Sequence, residues 1–166
     1  FGTSELLTNR KIETIFEATK RVYQQYMKRG FKITSILMDG EFDTGGYRGE
    51  LSALGITLNV VAAEEHVPEI ERHIRVIKER ARSVINTLPF DKVPARVIIE
   101  LVYYCGFWLN SFPAAGGISD TMSPRAIVVG TTVNYANHCK VEFGEYVQTH
   151  EPHDNSMQSR TVGALA

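Results

Sequence analysis

Two carboxylates, Asp39 and Glu71, hold positions that metal-dependent chemistry could use. Asp39 closes an apolar run (Ile33, Ile36, Leu37, Met38) and is followed by Gly40-Glu41-Phe42; Glu71 lies in Glu69-Ile70-Glu71-Arg72-His73-Ile74-Arg75. A carboxylate at the carboxyl end of a strand and another near the start of a helix can converge on a divalent cation. Hard oxygen ligands suit Mg2+ or Mn2+, and paired ions of this kind serve in-line phosphoryl transfer. On a helical wheel with Glu71 at zero, Arg75 falls at about 40°, Lys78 at about −20° and Arg82 at about 20°. Arg72 is the next residue in the chain. A metal-ligating carboxylate at one end of a stripe of cations is a device for gripping DNA phosphates beside a cutting site. The blander alternative is an ordinary i,i+4 pair, Glu71 with Arg75, on a solvated helix.

These groups need elements to carry them. Ile12, Ile15, Phe16, Val22, Tyr23, Tyr26 and Met27 recur at helical spacing, which predicts a helix over 9–29 with Thr8 or Asn9 at its start and Gly30 at its end. The tyrosines read as core. Residues 31–38 form an apolar, β-branched run between glycines, suited to a strand covered on both faces. Gly40, Gly45, Gly46 and Gly49 mark a loop, with a short helical piece near 48–54. A second strand is expected at 56–62, giving a parallel pair in an α/β sheet. Helices over 67–86 and 94–110 follow. The first buries Val67, Ile70, Ile74, Ile77, Ala81, Val84 and Ile85, and the second is dense in large apolar groups from Val97 to Leu109. Residues 113–123 read as a loop, 124–129 as a short helical turn, and 141–146 as a short strand. A division into 1–147 as the core and 148–166 as a polar tail follows.

Composition narrows the classes. With 166 residues, 43% of them hydrophobic, the chain can build one domain with a core, and a formal charge of −1 argues against a general polyanion binder. Any nucleic-acid contact must come from local patterning such as the stripe. Cys105 and Cys139 read as reduced thiols of an intracellular protein, Cys105 as a packed small hydrophobe. The glycines of 40–50 lack a Walker lysine or a nucleotide fingerprint. His138, Cys139, His150 and His153 match no standard zinc spacing. No apolar run is long enough to span a bilayer, so no membrane partner is expected.

The wording of these segments resembles the core of copia-type retrotransposon integrases. The likeness is carried by Leu37-Met38-Asp39-Gly40-Glu41-Phe42, Leu54-Gly55-Ile56, the run from Glu65 to Arg72, Trp108-Leu109-Asn110, Ser123-Pro124-Arg125, the run from His138 to Gly144, and Arg160-Thr161. It covers nearly the whole chain in order.

The resemblance implies a ribonuclease H-like fold and a metal-dependent polynucleotidyl transferase that trims DNA 3′ ends and joins them to a target. It makes Asp39 and Glu71 the second and third acidic ligands of an Asp-Asp-Glu set. Arg72, Arg75, Lys78 and Arg82 become DNA contacts, and a homo-oligomer, acting in the nucleus or a cytoplasmic virus-like particle, becomes the expected assembly. The chain departs from the family in one respect: no aspartate precedes Asp39. The first ligand and the strands bearing it would lie upstream of Phe1, so the expectation is a partial core lacking its first strands. Such a core has an unpaired edge on strand 31–38, binds Mg2+ weakly and does not catalyse alone. Two other readings stay open, a nucleic-acid-binding remnant without metal and a module that dimerises through helix 94–110.

Overall fold

The computed structural model describes residues 1–61, 67–150, 157 and 160–166. It is an α/β arrangement of helices with two small two-stranded sheets. The first helix, α1 (Ile12–Met27), begins three residues later than the spacing predicts. The cause is local. The Asn9 side chain accepts from the Lys11 amide at 2.9 Å and the Thr14 hydroxyl at 2.7 Å, which holds the approach to the helix in a turn. At the other end Gly30, at φ 78°, donates its amide to the Met27 carbonyl, a left-handed stop that glycine adopts without strain.

Strand β1 (Ser35–Met38) pairs in parallel with β2 (Thr57–Val60), Ser35 opposite Thr57 and Met38 opposite Val60. The ladder runs on through Thr57 to Thr34 and Val61 to Met38. Both strands are shorter than the runs 31–38 and 56–62. Ala62 of the expected second strand lies outside the described residues, as does the crossing 63–66. The sheet is also covered differently from expectation. Ile36, Met38 and Val60 pack against the buried Leu58, but Leu37 on the opposite face is 51% exposed among Ser35, Thr57 and Asn59. Asn59 donates to the Ser35 hydroxyl across that face at 2.7 Å. One polar face and one apolar face replace the strand buried on both sides, because β2 alternates strictly. Among the described residues β1 pairs only with β2, leaving its other edge without a ladder partner. Beside it a cleft of about 360 Å³ is lined by Leu7, Ile15, Val22, Ile33 and Ile36, among others.

The glycine-rich stretch is not a loop. It holds a single 3-10 turn, Gly40–Phe42, and then helix α2, Gly45–Ala53. The Thr44 hydroxyl caps α2 by accepting from the Tyr47 amide, and Asp43 pairs with Arg48 at 2.7 Å. Burial of Tyr47 and Leu51 in the first apolar cluster, with Phe16, Ile56 and Leu58, offsets what three glycines cost the helix. The Tyr47 hydroxyl is not stranded there, since it meets the Thr19 hydroxyl at 2.8 Å.

Helix α3 (Pro68–Ile85) has proline in its first turn, Glu69 and Glu71 beside its positive end and Arg82 near its negative end, an arrangement its dipole favours. It packs on α4 (Ala95–Leu109) through Ile77, Ala81, Val84 and Ile85 against Leu101, Val102 and Cys105. The expected buried face is therefore shortened. Ile70 and Ile74 are 50% and 44% exposed, because α4 covers only the later turns. Burial raises the Cys105 thiol, which keeps it protonated and packed.

Two short helices follow, α5 (Pro124–Val128), capped by Ser123, and α6 (Tyr135–His138). The strand expected at 141–146 begins instead at Tyr146. Strand β3 (Tyr146–His150) pairs antiparallel with β4 (Thr161–Leu165), so the boundary drawn at 147 falls inside a strand and much of the supposed tail is a hairpin. Residues 151–156, with His153, lie outside the described residues. Before α1, residues 1–8 form a strap across the molecule. Gly2 donates to the Asn110 side-chain oxygen at 3.0 Å and accepts from its amide at 2.6 Å, the Leu6 amide donates to the Tyr103 hydroxyl, and Glu5 pairs with Arg21 at 2.7 Å.

Candidate metal and nucleic-acid site

Asp39 directly follows β1 and stands exposed at the head of the Gly40–Phe42 turn. That turn sits against the exit of the neighbouring strand. A Cβ built on Gly40 would lie 3.8 Å from the Val60 side chain and 4.0 Å from the Val61 carbonyl. Asp39 therefore occupies the carboxyl end of a parallel pair, the edge where open α/β sheets present ligand-binding groups. The chain leaves the same end through β2 and enters α3, whose first turn carries Glu71, also exposed.

Along α3 the charged stripe is continuous. Pro68 to Ile85 is one uninterrupted helix, so the wheel positions of Glu71, Arg75, Lys78 and Arg82 hold, and each of these groups is exposed, as is Arg72. The stripe lies beside the half-exposed Ile70 and Ile74 rather than beside a sealed core. Its cations remain solvated and able to exchange water for phosphate oxygens.

The neighbours of the two carboxylates face different clefts. Glu41, with Arg10, Phe42 and Tyr47, lines one of about 310 Å³. Glu69 and Arg72, with His73, Gly2 and Asn110, line another of about 290 Å³, and the two share no residue. No family model matches the chain, and no curated protein matches it in sequence. Among the described residues no three acidic, histidine or cysteine groups cluster into a ready cage for a metal ion.

The donor type at Asp39 and Glu71 suits Mg2+ or Mn2+. Magnesium is commonly held by one or two carboxylates with water and substrate phosphate filling its octahedron. The structure brings Asp39 to the mouth of the sheet and puts Glu71 at the head of the stripe, each solvated.

Two features escape a reading of the sequence alone. The His73 Nε2 is buried without a hydrogen-bond partner, pressed by Gly2 so closely that any Cβ there would collide with the ring. Burial accordingly lowers the His73 pKa. Asn110, 6% exposed, makes three side-chain hydrogen bonds, to Gly2 twice and to the Gly106 carbonyl at 2.9 Å. Its sequence signals are a place at the end of an apolar helix and membership of the Trp108-Leu109-Asn110 motif, and neither points to the Gly2 contact.

Among the described residues no helix is long and apolar enough to cross a membrane.

Proposed function

We propose that this chain is part of a copia-type retrotransposon integrase core of ribonuclease H-like fold, serving metal-dependent DNA 3′-end processing and strand transfer. What supports the reading is Asp39 at the carboxyl end of the first of two parallel strands, with α3 following the second and carrying Glu71 in its first turn. Asp39 and Glu71 would hold Mg2+ or Mn2+, which supplies an activated water or DNA 3′-hydroxyl and neutralises charge on the attacked phosphate. Arg75, Lys78 and Arg82 grip successive phosphates from one helix face, and Arg72 extends the contact at its margin. With two of three carboxylates, metal affinity is weak, on the order of millimolar, and the 166 residues alone do not turn over DNA. The nucleus or a virus-like particle is the compartment this role requires, and association of copies through α4 fits its half-exposed Ile98 and Tyr103.

Mn2+ titration of the chain and of its Asp39→Asn and Glu71→Gln variants tests the site. Weak binding lost in both variants is expected; binding indifferent to both sinks the reading. Duplex DNA affinity measured against salt tests the stripe. Reversing Arg75, Lys78 and Arg82 lowers the slope of log affinity against log salt by roughly one unit per lost phosphate contact. Duplex binding that is unaffected by chelator and by Glu71→Gln, yet depends on the stripe, identifies a nucleic-acid-binding module without metal chemistry.

A further inference from the structure

We propose that residues 1–6 are a clamp that sets the orientation of the α3–α4 pair against α1 and the parallel sheet. On the integrase reading the clamp thereby holds Glu71 in a fixed relation to Asp39, and that step alone rests on that reading.

The observation is an alternation of partners along the strap. The Phe1 carbonyl accepts from the Tyr26 hydroxyl of α1 at 3.3 Å, and the two rings meet edge to face. Gly2 turns to the other side, exchanging two hydrogen bonds with Asn110 at the end of α4 and lying against His73 of α3. Glu5 returns to α1, where Arg21 Nε and Nη2 donate to it at 2.9 and 2.7 Å. The Leu6 amide crosses back to the Tyr103 hydroxyl of α4 at 3.2 Å. A segment merely laid over one half would bond to that half alone.

The apolar cores do not make this connection. The side chains of the first cluster come from α1, α2, the two parallel strands and residues beside them, and those of the second from α3, α4 and Phe143. Apolar burial therefore tightens each group rather than the relation between them. Another bridge lies at the far end of α1, where a Cβ on Gly130, just past α5, would stand 2.8 Å from Arg29 Cζ. Beside it a cleft of about 420 Å³, lined by Gln24, Gln25, Lys28 and Val128 among others, separates α1 from α5. A point of touch next to a cleft is a pivot, and contacts spread from Phe1 to Leu6 remove the rotation that a pivot leaves.

The grip is firmest at Gly2. Asn110 is 6% exposed, and its side-chain amide meets the Gly2 amide and carbonyl with one bond in each direction, shielded from water. The exposed Glu5–Arg21 pair adds little. Gly2 also admits no side chain, since a Cβ there would collide with the His73 ring.

The test is a distance between spin labels on Glu50→Cys of α2 and Glu79→Cys of α3, both exposed positions. The full chain carries Cys139→Ser, because Cys139 is exposed and Cys105 is buried. Double electron–electron resonance in chelator should give one narrow distribution for the parent. Gly2→Ala, which drives the strap off His73, and Asn110→Ala, which unpairs it, should each broaden or shift that distribution while helical circular dichroism is kept. Mn2+ binding by the same two variants without labels should weaken at least about threefold, less than the roughly tenfold loss that follows removal of a group bonded to a metal ligand itself. A broad distribution in the parent, or distributions unchanged in both variants, overturns the proposal. Altered distributions with Mn2+ held as tightly as by the parent overturn the clamp's part in setting the two carboxylates. Altered distributions with no Mn2+ binding by the parent uphold the clamp and sink the metal reading instead. Should either variant lose its helical signal, Tyr103→Phe decides by the same measurement, since it removes only the acceptor of the Leu6 amide.

Discussion

The first apolar cluster draws Phe16, Tyr47, Leu51, Ile56 and Leu58 from α1, α2, the turn before β2 and β2 itself, whereas the second draws Ile77, Leu101 and Cys105 from two helices. The first surrounds one face of a sheet and fixes where β1 ends, hence where Asp39 stands. The second grips α3 by its later turns, while the earlier ones leave Ile70 and Ile74 half exposed and set His73 against Gly2. One carboxylate is therefore placed by a packed sheet and the other by a helix that α4 grips at its later turns and the Gly2 strap meets at His73.

The largest effects test whether the clusters are separate. Leu51 and Leu101 are both fully buried at 0% exposure, and each Leu→Ala change should cost about 2–5 kcal/mol. If the clusters do not share strain, urea melts of the double variant give the sum of the singles within about 0.5 kcal/mol; a clear departure joins them into one core. Next in size is Asn110→Ala, which unpairs the Gly2 strap. A loss of about 1–3 kcal/mol is expected, with faster exchange of the Gly2 amide by NMR and little change at Tyr47. Slowed or unchanged exchange would show that the strap is held by other contacts. Ile74→Lys, at a position 44% exposed, should shift stability by no more than about 0.5 kcal/mol; a larger loss would mean that the Ile74 side chain is packed.

Smallest is a pH effect at His73. Burial lowers its pKa from 6.5, so the folded chain resists a proton that the unfolded chain accepts. Its contribution to stability is complete above 6.5 and is lost as pH falls from there toward the lowered folded value. His73→Gln should flatten that part of the stability curve, and an unaltered slope would assign it to other groups.

Much of this was legible in the sequence, where the pattern was long. α1, α3, α4 and the parallel pair follow from periodicity, as do the places of Asp39 at a strand end and Glu71 in a first helical turn. The errors have physical causes. Glycine content argued for a loop at 40–50, but from Gly45 onward a Thr44 cap and two buried side chains outweighed propensity. The hairpin of β3 and β4 hides under polar composition, because both strands are mostly exposed. The stacking of Phe112 on Tyr135 could not be read at all. Phe107 and Trp108 read as part of an apolar helix and Phe112 follows it, and only the fold brings Tyr135, distant in sequence, against Phe112.

The strap has a consequence for the order of events in synthesis. Gly2 leaves the ribosome 108 residues ahead of Asn110, its partner. At about 5–20 residues per second the amino-terminal segment must wait roughly 5–20 s before the contact that secures it can exist. Throughout that interval the first cluster can close, while Leu6, Leu7 and the open edge of β1 stay available to whatever else is nearby. The closing of one asparagine on one glycine ends the free travel of that segment, while Leu6, Leu7 and, among the described residues, the unpaired edge of β1 stay open in the finished fold.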